Sequence, residues 1–440
     1  MSRNASIGLV LAGIAAGSLG GLAVTPPELV IRAAHAAIGE VTEQLNLFSE
    51  VFQRVRTDYV VEPDEKSMIK DAVSGMVSGL DAQSEYFPPG EAAHPDEHPG
   101  DATATVGMLL TIDDSAAKVI SVLDGSPAAT ASILPGDAIV AINGQDLAGA
   151  HLADIDDALA CRDGKGASVT LVRDSLSDPF TAKLDCAAPG AASVTARVEG
   201  AVGYLRINRF ARRTADELKA AVAKVRGDIG AEALKGYVLD LRSNPGGSFD
   251  AAVAVAESFV SGAPVVSVKG RDSTKDRQIT AAAEDIAAGK PMVVLINGGS
   301  AAEAEIVSGA LKDDHRATIL GARSFGAGSV QSIIPLGSDG TLRLTTARYY
   351  SPAGQAIEAK GIEPDIAVNQ IAPPLPPSLA DKKLKPAKTA SSPAKPAPSP
   401  AYVPADAAKD KQLQYALGLV NGTIVNPAAF PPAPKKASAG

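Results

Sequence analysis

The residues best placed for chemistry lie in two short stretches. The first reads Asn297-Gly298-Gly299-Ser300-Ala301-Ala302-Glu303 and follows an apolar run at 292–296 that has the pattern of a buried strand. Asn-Gly-Gly is a turn signal. Beyond it Ile306, Ala310 and Leu311 recur at helical spacing. A strand, a tight glycine turn and a helix N-terminus together make a seat for a nucleophile, because free N–H groups and the helix dipole there stabilise developing negative charge. A second apolar run, 317–320, leads to the glycine-rich loop Ser324-Phe325-Gly326-Ala327-Gly328-Ser329-Val330-Gln331. The architecture is that of an active site, but the residue types do not supply one. Attack on a carbonyl needs a hydroxyl and a base within hydrogen-bond reach. Ser300 lies two positions from Ala302 and points to another side, and Lys312 sits further along the helix.

Other chemistry-bearing residues offer less. The five histidines form no metal pattern, and no cofactor is implied. His94 and His98 fall in the acidic run 91–99, where prolines spoil a fixed ligand geometry and a solvated loop is expected. Cys161 and Cys186 share one predicted domain; a disulfide, in an exported protein, and two buried thiols are both open. The net charge of −9 over 440 residues argues against a nucleic-acid partner and against a basic membrane-binding face.

At the start of the chain Arg3 precedes an uncharged, Ala- and Gly-rich run at 5–27, followed by Ala34-His35-Ala36. That order describes a secretory signal over 1–36, with an uncleaved anchor as the alternative; either way the chain would lie outside the cytoplasm. Residues 37–99 are expected to be helical: 38–61 carries Val41, Leu45, Phe48, Val51, Phe52 and Val55 on one stripe, and a second helix is expected at 68–80. Alternating strands and helices from 191 to 370 indicate an α/β fold on a mixed sheet. The Pro/Ala/Lys/Ser composition of 371–405 predicts a disordered linker, and 406–440 a short helix and tail, with Leu413, Ala416, Leu417 and Val420 on one face.

The order and spacing of these motifs resemble the carboxyl-terminal processing proteases (tail-specific serine proteases), over roughly 40–368. That family reads N-x-x-S-A-S-A-S-E-I and then F-G-K-G-S-V-Q. The second serine of the first motif is its nucleophile, the lysine its general base, and a glutamine four residues on helps hold the lysine. On this chain those positions are Ala302, Ala327 and Gln331, and the separation 327 − 302 = 25 is the family's own. Residues 240–247, Asp-Leu-Arg-Ser-Asn-Pro-Gly-Gly, resemble the family's D-L-R-N-N-P-G-G, which implies an oxyanion hole built from Gly246, Gly247 and Glu303. The run 79–87 resembles S-L-D-P-H-S-S-Y-L of the family's N-terminal helical region, used there in oligomerisation.

Residues 100–190 resemble a PDZ domain, with Leu134-Pro135-Gly136-Asp137 leading to an Asn143-Gly144 hairpin as its signature. The resemblance implies a peptide added to a sheet edge, its carboxylate held by the loop at 105–108, with Val106, Gly107, Met108 and Leu109 as the contact residues. Ala104 and Thr105 stand where the family usually has glycines. A multidomain α/β protein is therefore expected, of PDZ domain, protease-like core and N-terminal helical region, sited in the periplasm or cell envelope. Three functions stay open. One is a pseudoprotease that binds protein C-termini, as a homo-oligomer or with a protease or adaptor partner. Another is the disabled form of a serine endopeptidase with Ser–Lys–Gln catalysis. The last is a non-catalytic structural or assembly protein.

Overall fold

The computed structural model describes residues 27–81, 83–90, 106–113, 116–148, 150, 152–160, 165–173, 176, 178–186, 192–282, 285–370, 401–404 and 406–425. The chain divides into two compact units, Met1–Val73 and Ser74–Gly440. The first holds α1 (Pro27–Asp58) and the start of α2 (Glu65–Ser78). Helix α1 begins well before the expected 38, at a proline, which suits a first helical position because its missing N–H would be unpaired there anyway. The Ala34-His35-Ala36 sequence expected to be a cleavage site thus lies within α1, while 1–26 falls outside the described residues. The apolar stripe of α1 is solvent-facing: Val41, Leu45, Phe48, Val51 and Val55 are all exposed.

In the second unit, β1 (Glu85–Phe87) is followed by a PDZ-like sheet. Its strands are β2 (Met108–Asp113), β3 (Ala116–Val122), β4 (Ala138–Ile142), β5 (Gln145–Asp146), β6 (Ala167–Val172) and β7 (Phe180–Leu184). They run in the order β2-β3-β4-β6-β7, with β5 on β4, and every pairing is antiparallel. The short α3 (Pro127–Thr130) and α4 (Leu152–Leu159) complete it. Asn143 and Gly144 both take positive φ (51° and 83°), as a tight primed hairpin turn requires. Alternate residues Val169 and Leu171 join Ile139, Ile155 and Phe180 in the core. Arg173 clamps the Leu-Pro-Gly-Asp turn through Asp137, at 2.5 and 2.6 Å.

The larger module contains β8 (Val194–Glu199), β9 (Val202–Ile207), α5 (Thr214–Ile229), β10 (Gly236–Asp240) and α6 (Phe249–Glu257). Then come β11 (Pro264–Gly270), β12 (Arg277–Thr280), β13 (Met292–Ile296), α7 (Glu303–Asp313) and β14 (Thr318–Gly321). Finally β15 (Ser329–Pro335), β16 (Thr341–Tyr350), β17 (Ile366–Ala367) and α8 (Lys411–Asn421) complete the described elements. The main sheet has the order β17-β14-β13-β10-β9-β8, parallel except for β8. Strands β10 and β13 are buried throughout, as near-continuous apolar runs must be when both sheet faces are covered. Leu239 and Val294 face the core shared with Leu218, Val255 and Ile306 of α5, α6 and α7. Their neighbours Val238, Val293 and Leu295 face Leu413, Ala416 and Val420 of α8. A separate sheet pairs β1, β16, β11 and β12, with β15 on β16.

Two expectations for the C-terminal region need correction. The terminal helix starts at Lys411, where Asp410 accepts the Leu413 N–H, rather than at 406. The end of the expected linker is also packed: Ala401 is buried, and 401–404 belongs to the described fold. The composition of the linker does not reveal this, because the segment is held by the Ala401 carbonyl, which accepts from Ser243 Oγ and Asn297 Nδ2.

Candidate functional site

Both site turns leave the carboxyl ends of neighbouring parallel strands, the place where open α/β sheets present ligands. After β13, the fully buried Asn297 accepts from the N–H groups of Ser243 and Gly299 (2.8 and 3.0 Å) and donates to Ser243 Oγ and the Ala401 carbonyl. One amide thus ties three chain segments together beneath the site. Ala302 stands at the entrance to α7 with φ 49° and ψ −113°, a conformation that costs an L-residue on the order of 1–3 kcal/mol and that marks strained nucleophile turns. The side chain at 302 is a methyl group.

The glycine-rich loop is brought to this turn by Glu305. Its carboxylate accepts four hydrogen bonds: from Ser324 Oγ (2.5 Å), Gly326 N (2.8 Å), Ala327 N (2.8 Å) and Ala302 N (3.0 Å). The N–H groups of positions 302 and 327 therefore converge on the same oxygen, Oε2. Burial pushes the Glu305 carboxyl up to about 7, against the pull of those four donors. Phe325 N adds a bond to the Ser300 carbonyl, 2.9 Å. Gln331, on β15, donates to Thr345 Oγ1 (2.8 Å), Gln83 Oε1 (3.0 Å) and Ser329 Oγ (3.2 Å), while its own Oε1 is buried with no hydrogen-bond partner among the described residues.

The serine and the lysine nearest in sequence to position 302 are committed elsewhere. Ser300 is fully buried; its hydroxyl donates to the Leu241 carbonyl (2.8 Å) and accepts from Asn297 N (3.0 Å). Lys312 reaches the Glu363 carbonyl (2.5 Å) and pairs with Asp365 (3.0 Å).

The turn after β10 lies against Ala302 and Glu303. A Cβ on Gly246 (φ 105°) would stand 2.4 Å from Glu303 Oε2 and 2.9 Å from the Ala302 methyl. One on Gly247 (φ 139°) would stand 2.1 Å from the Phe210 carbonyl. These two positions therefore require glycine. The N–H groups expected to form an oxyanion hole are, however, occupied from within: Gly246 donates to Asn244 Oδ1 (2.9 Å) and Gly247 to Glu303 Oε2 (2.8 Å). Glu303, expected in the oxyanion-hole set, brings its carboxylate to this turn as a hydrogen-bond acceptor.

Beneath this turn lies a charge network that the sequence did not announce. Arg242, fully buried, donates to Asp240 (2.9, 3.1 and 2.5 Å), to Asp410 (2.9 and 2.8 Å) and to Gln412 (3.0 Å). Arg206 pairs with Asp240 at 3.1 Å and with Asp124 of the PDZ-like module. Burial opposes ionisation of Asp240, but Arg242 and Arg206 outweigh it and hold the carboxyl well below the usual range. The PDZ-like module also touches the site turn directly, Ser121 Oγ donating to the Ser243 carbonyl at 2.6 Å.

Among the described strands β2 is an edge of its sheet, paired with β3, and α4 lies beside it. Of the expected peptide contacts, Val106 is buried in the domain core, while Met108 and Leu109 are half-buried. Gly107 (φ 79°) is packed so closely on Ser126 that a Cβ would stand 2.2 Å from that side chain. Ala104 and Thr105 lie outside the described residues, as do His94, His98 and Cys161. Cys186 is disulfide-bonded, and Cys161 is the only other cysteine of the chain. Among the described residues, no cluster of three or more His, Cys, Asp or Glu could hold a metal, and no helix is long and apolar enough to cross a membrane.

Comparison with known proteins agrees with this geometry. Residues 201–368 match Peptidase family S41 and residues 118–173 match a PDZ domain. The chain is 40% identical over 402 residues to a carboxy-terminal-processing protease of Bartonella bacilliformis, spanning 90% of this chain and 92% of that one. It is 32% identical to a probable CtpA-like serine protease of Staphylococcus aureus, over 74% of this chain and 65% of that one. Among solved structures, the photosystem II D1 C-terminal processing protease superposes with a TM-score of 0.60 at 28% identity, covering 73% of this chain and 92% of that one. With its PDZ domain, its S41 core and this degree of identity, the chain belongs to the carboxyl-terminal processing protease family.

Proposed function

We propose that this chain binds protein and peptide C-termini and does not cleave them. The observation that carries the reading is the side chains at 302 and 327: both are methyl groups, set in the strained turn and the glycine loop where the family holds its serine and lysine. A serine–lysine dyad needs a hydroxyl to attack and a neutral amine to take its proton, and removing such residues costs many powers of ten. Gln331 Oε1, which has no hydrogen-bond partner among the described residues, supports the same reading, since the family's glutamine at this position helps hold the lysine. Ser300 and Lys312 are each held by other partners and do not meet.

Binding is assigned to the PDZ domain, where the free edge of β2 accepts an extended peptide and N–H groups near Gly107 take its carboxylate. A location in the periplasm or cell envelope is part of this reading, supported by the basic, apolar and Ala-x-Ala order of residues 3–36. The exposed stripe of α1, with Val41, Leu45, Phe48, Val51 and Val55 at heptad-like spacing, fits association with a second copy rather than with a polar adaptor. The test is a fluorescent decapeptide with a free apolar carboxyl terminus and its C-terminal amide. The free acid is expected to bind at least ~10-fold more tightly and to be recovered intact by mass spectrometry. Equal binding of the amide would remove carboxylate recognition, and a shortened peptide would remove the non-cleaving reading.

A further inference from the structure

We propose that Glu303 is a built-in occupant of the oxyanion site: its carboxylate fills, from within the chain, the place where the oxygen of a bound peptide carbonyl would be stabilised. The inference deepens the non-cleaving reading and rests on it. Glu303 is the first residue of α7 and only 8% exposed, and its Oε2 accepts the Gly247 N–H at 2.8 Å. The same oxygen lies 2.4 Å from the Cβ position of Gly246, so it fills the notch that the two glycines leave open. The neighbouring donor, Gly246 N–H, is taken by Asn244. A carboxylate is also electrostatically at home in the first turn of a helix. The family motif has alanine at this position, which reaches nothing; here the side chain turns an electropositive pocket into an anionic one. A peptide carbonyl entering it would lose a donor and meet a like charge as its oxygen became negative. Loss of one oxyanion-hole donor alone costs about 10²–10³ in kcat. The chain is thus disabled at three sites, and restoring the nucleophile and base does not restore the enzyme.

Two measurements test this. In the full-length chain labelled with [15N]glycine, Glu303→Ala is expected to speed amide exchange at Gly247 by ~10-fold or more, since the donor loses its acceptor. Gly246, held by Asn244, serves as the internal control and should change less than about twofold. Glu303→Gln retains a carbonyl acceptor and should keep Gly247 protected. Unchanged exchange at Gly247 in Glu303→Ala overturns the proposal. Secondly, cleavage of fluorescein-labelled casein is compared for Ala302→Ser/Ala327→Lys and for the triple variant that adds Glu303→Ala. The triple variant is expected to be at least ~10²-fold faster; a triple variant no faster than the double overturns the proposal. Cleavage by the chain as it stands would instead overturn the non-cleaving reading, and the exchange experiment would still decide the Glu303 contact.

Discussion

Replacing Asp410 with asparagine should cost far more than its place near the end of the chain suggests. Arg242 is wholly buried, and its positive charge is shared between two carboxylates, Asp240 and Asp410. Asp240 is simultaneously claimed by Arg206, whose other partner, Asp124, has a half-exposed side chain. Once Asp410 is neutral, two buried guanidiniums depend on one buried carboxylate. Breaking a buried pair by removing one partner costs about 3–5 kcal/mol, because the remaining charge is left uncompensated. Asparagine keeps an oxygen that can cap Leu413 N, so the loss should reflect charge rather than capping, and about 3 kcal/mol is expected. Removing the other partner as well should return part of that loss: in a double-mutant cycle with Arg242→Met, a coupling energy of about 2 kcal/mol or more is predicted. Urea unfolding followed by far-UV circular dichroism suits a chain that contains no tryptophan. A cost below about 1 kcal/mol for Asp410→Asn, or additive effects in the cycle, would refute the reasoning that the C-terminal segment neutralises the floor of the site.

Three further outcomes are expected. Because the folded-state pKa of Glu305 is raised from 4.5 to about 7, its contribution to stability is fully present below 4.5 and is lost as pH rises through 7. The stability difference between the wild type and Glu305→Gln should therefore fall by about 3 kcal/mol from pH 4.5 to 8, and a pH-independent difference in urea titrations would contradict the assignment. Gly247→Ala should destabilise the core by about 2 kcal/mol or more, since φ 139° and the Phe210 carbonyl leave no room for a methyl group; a thermal midpoint within about 1 °C of wild type would count against it. Cys186→Ser should lower stability by about 2–4 kcal/mol in urea unfolding; an unaltered midpoint would show that the disulfide contributes little.

What the sequence revealed, and what it hid, follows from the range of the interactions. Strand β13, the Asn-Gly-Gly turn and the start of α7 were legible because period, turn chemistry and helix spacing are local signals. The three motifs fixed Ala302, Ala327 and Gln331 by order and spacing, and the structure sets the first two on a shared carboxylate. Glu305 itself was passed over, since a glutamate in the first turn of a helix ordinarily faces solvent. Gln83 sits in a run noted only for its N-terminal resemblance, and its contact with Gln331 spans 248 positions. Asp410 meets Arg242 across 168 positions, beyond a stretch whose composition predicts disorder. The Glu303 side chain was hidden for a different reason: only the packed geometry of Gly246 and Gly247 shows that the carboxylate points into the pocket rather than away from it.

The most direct test of the central claim is prolonged incubation of the chain, unaltered, with fluorescein-labelled casein, and mass-spectrometric search for new termini. The account predicts no termini beyond those in buffer alone, with the triple variant Ala302→Ser/Glu303→Ala/Ala327→Lys generating them under the same conditions. New termini made by the unaltered chain, and lost on Ser300→Ala, would contradict it and move the nucleophile to Ser300.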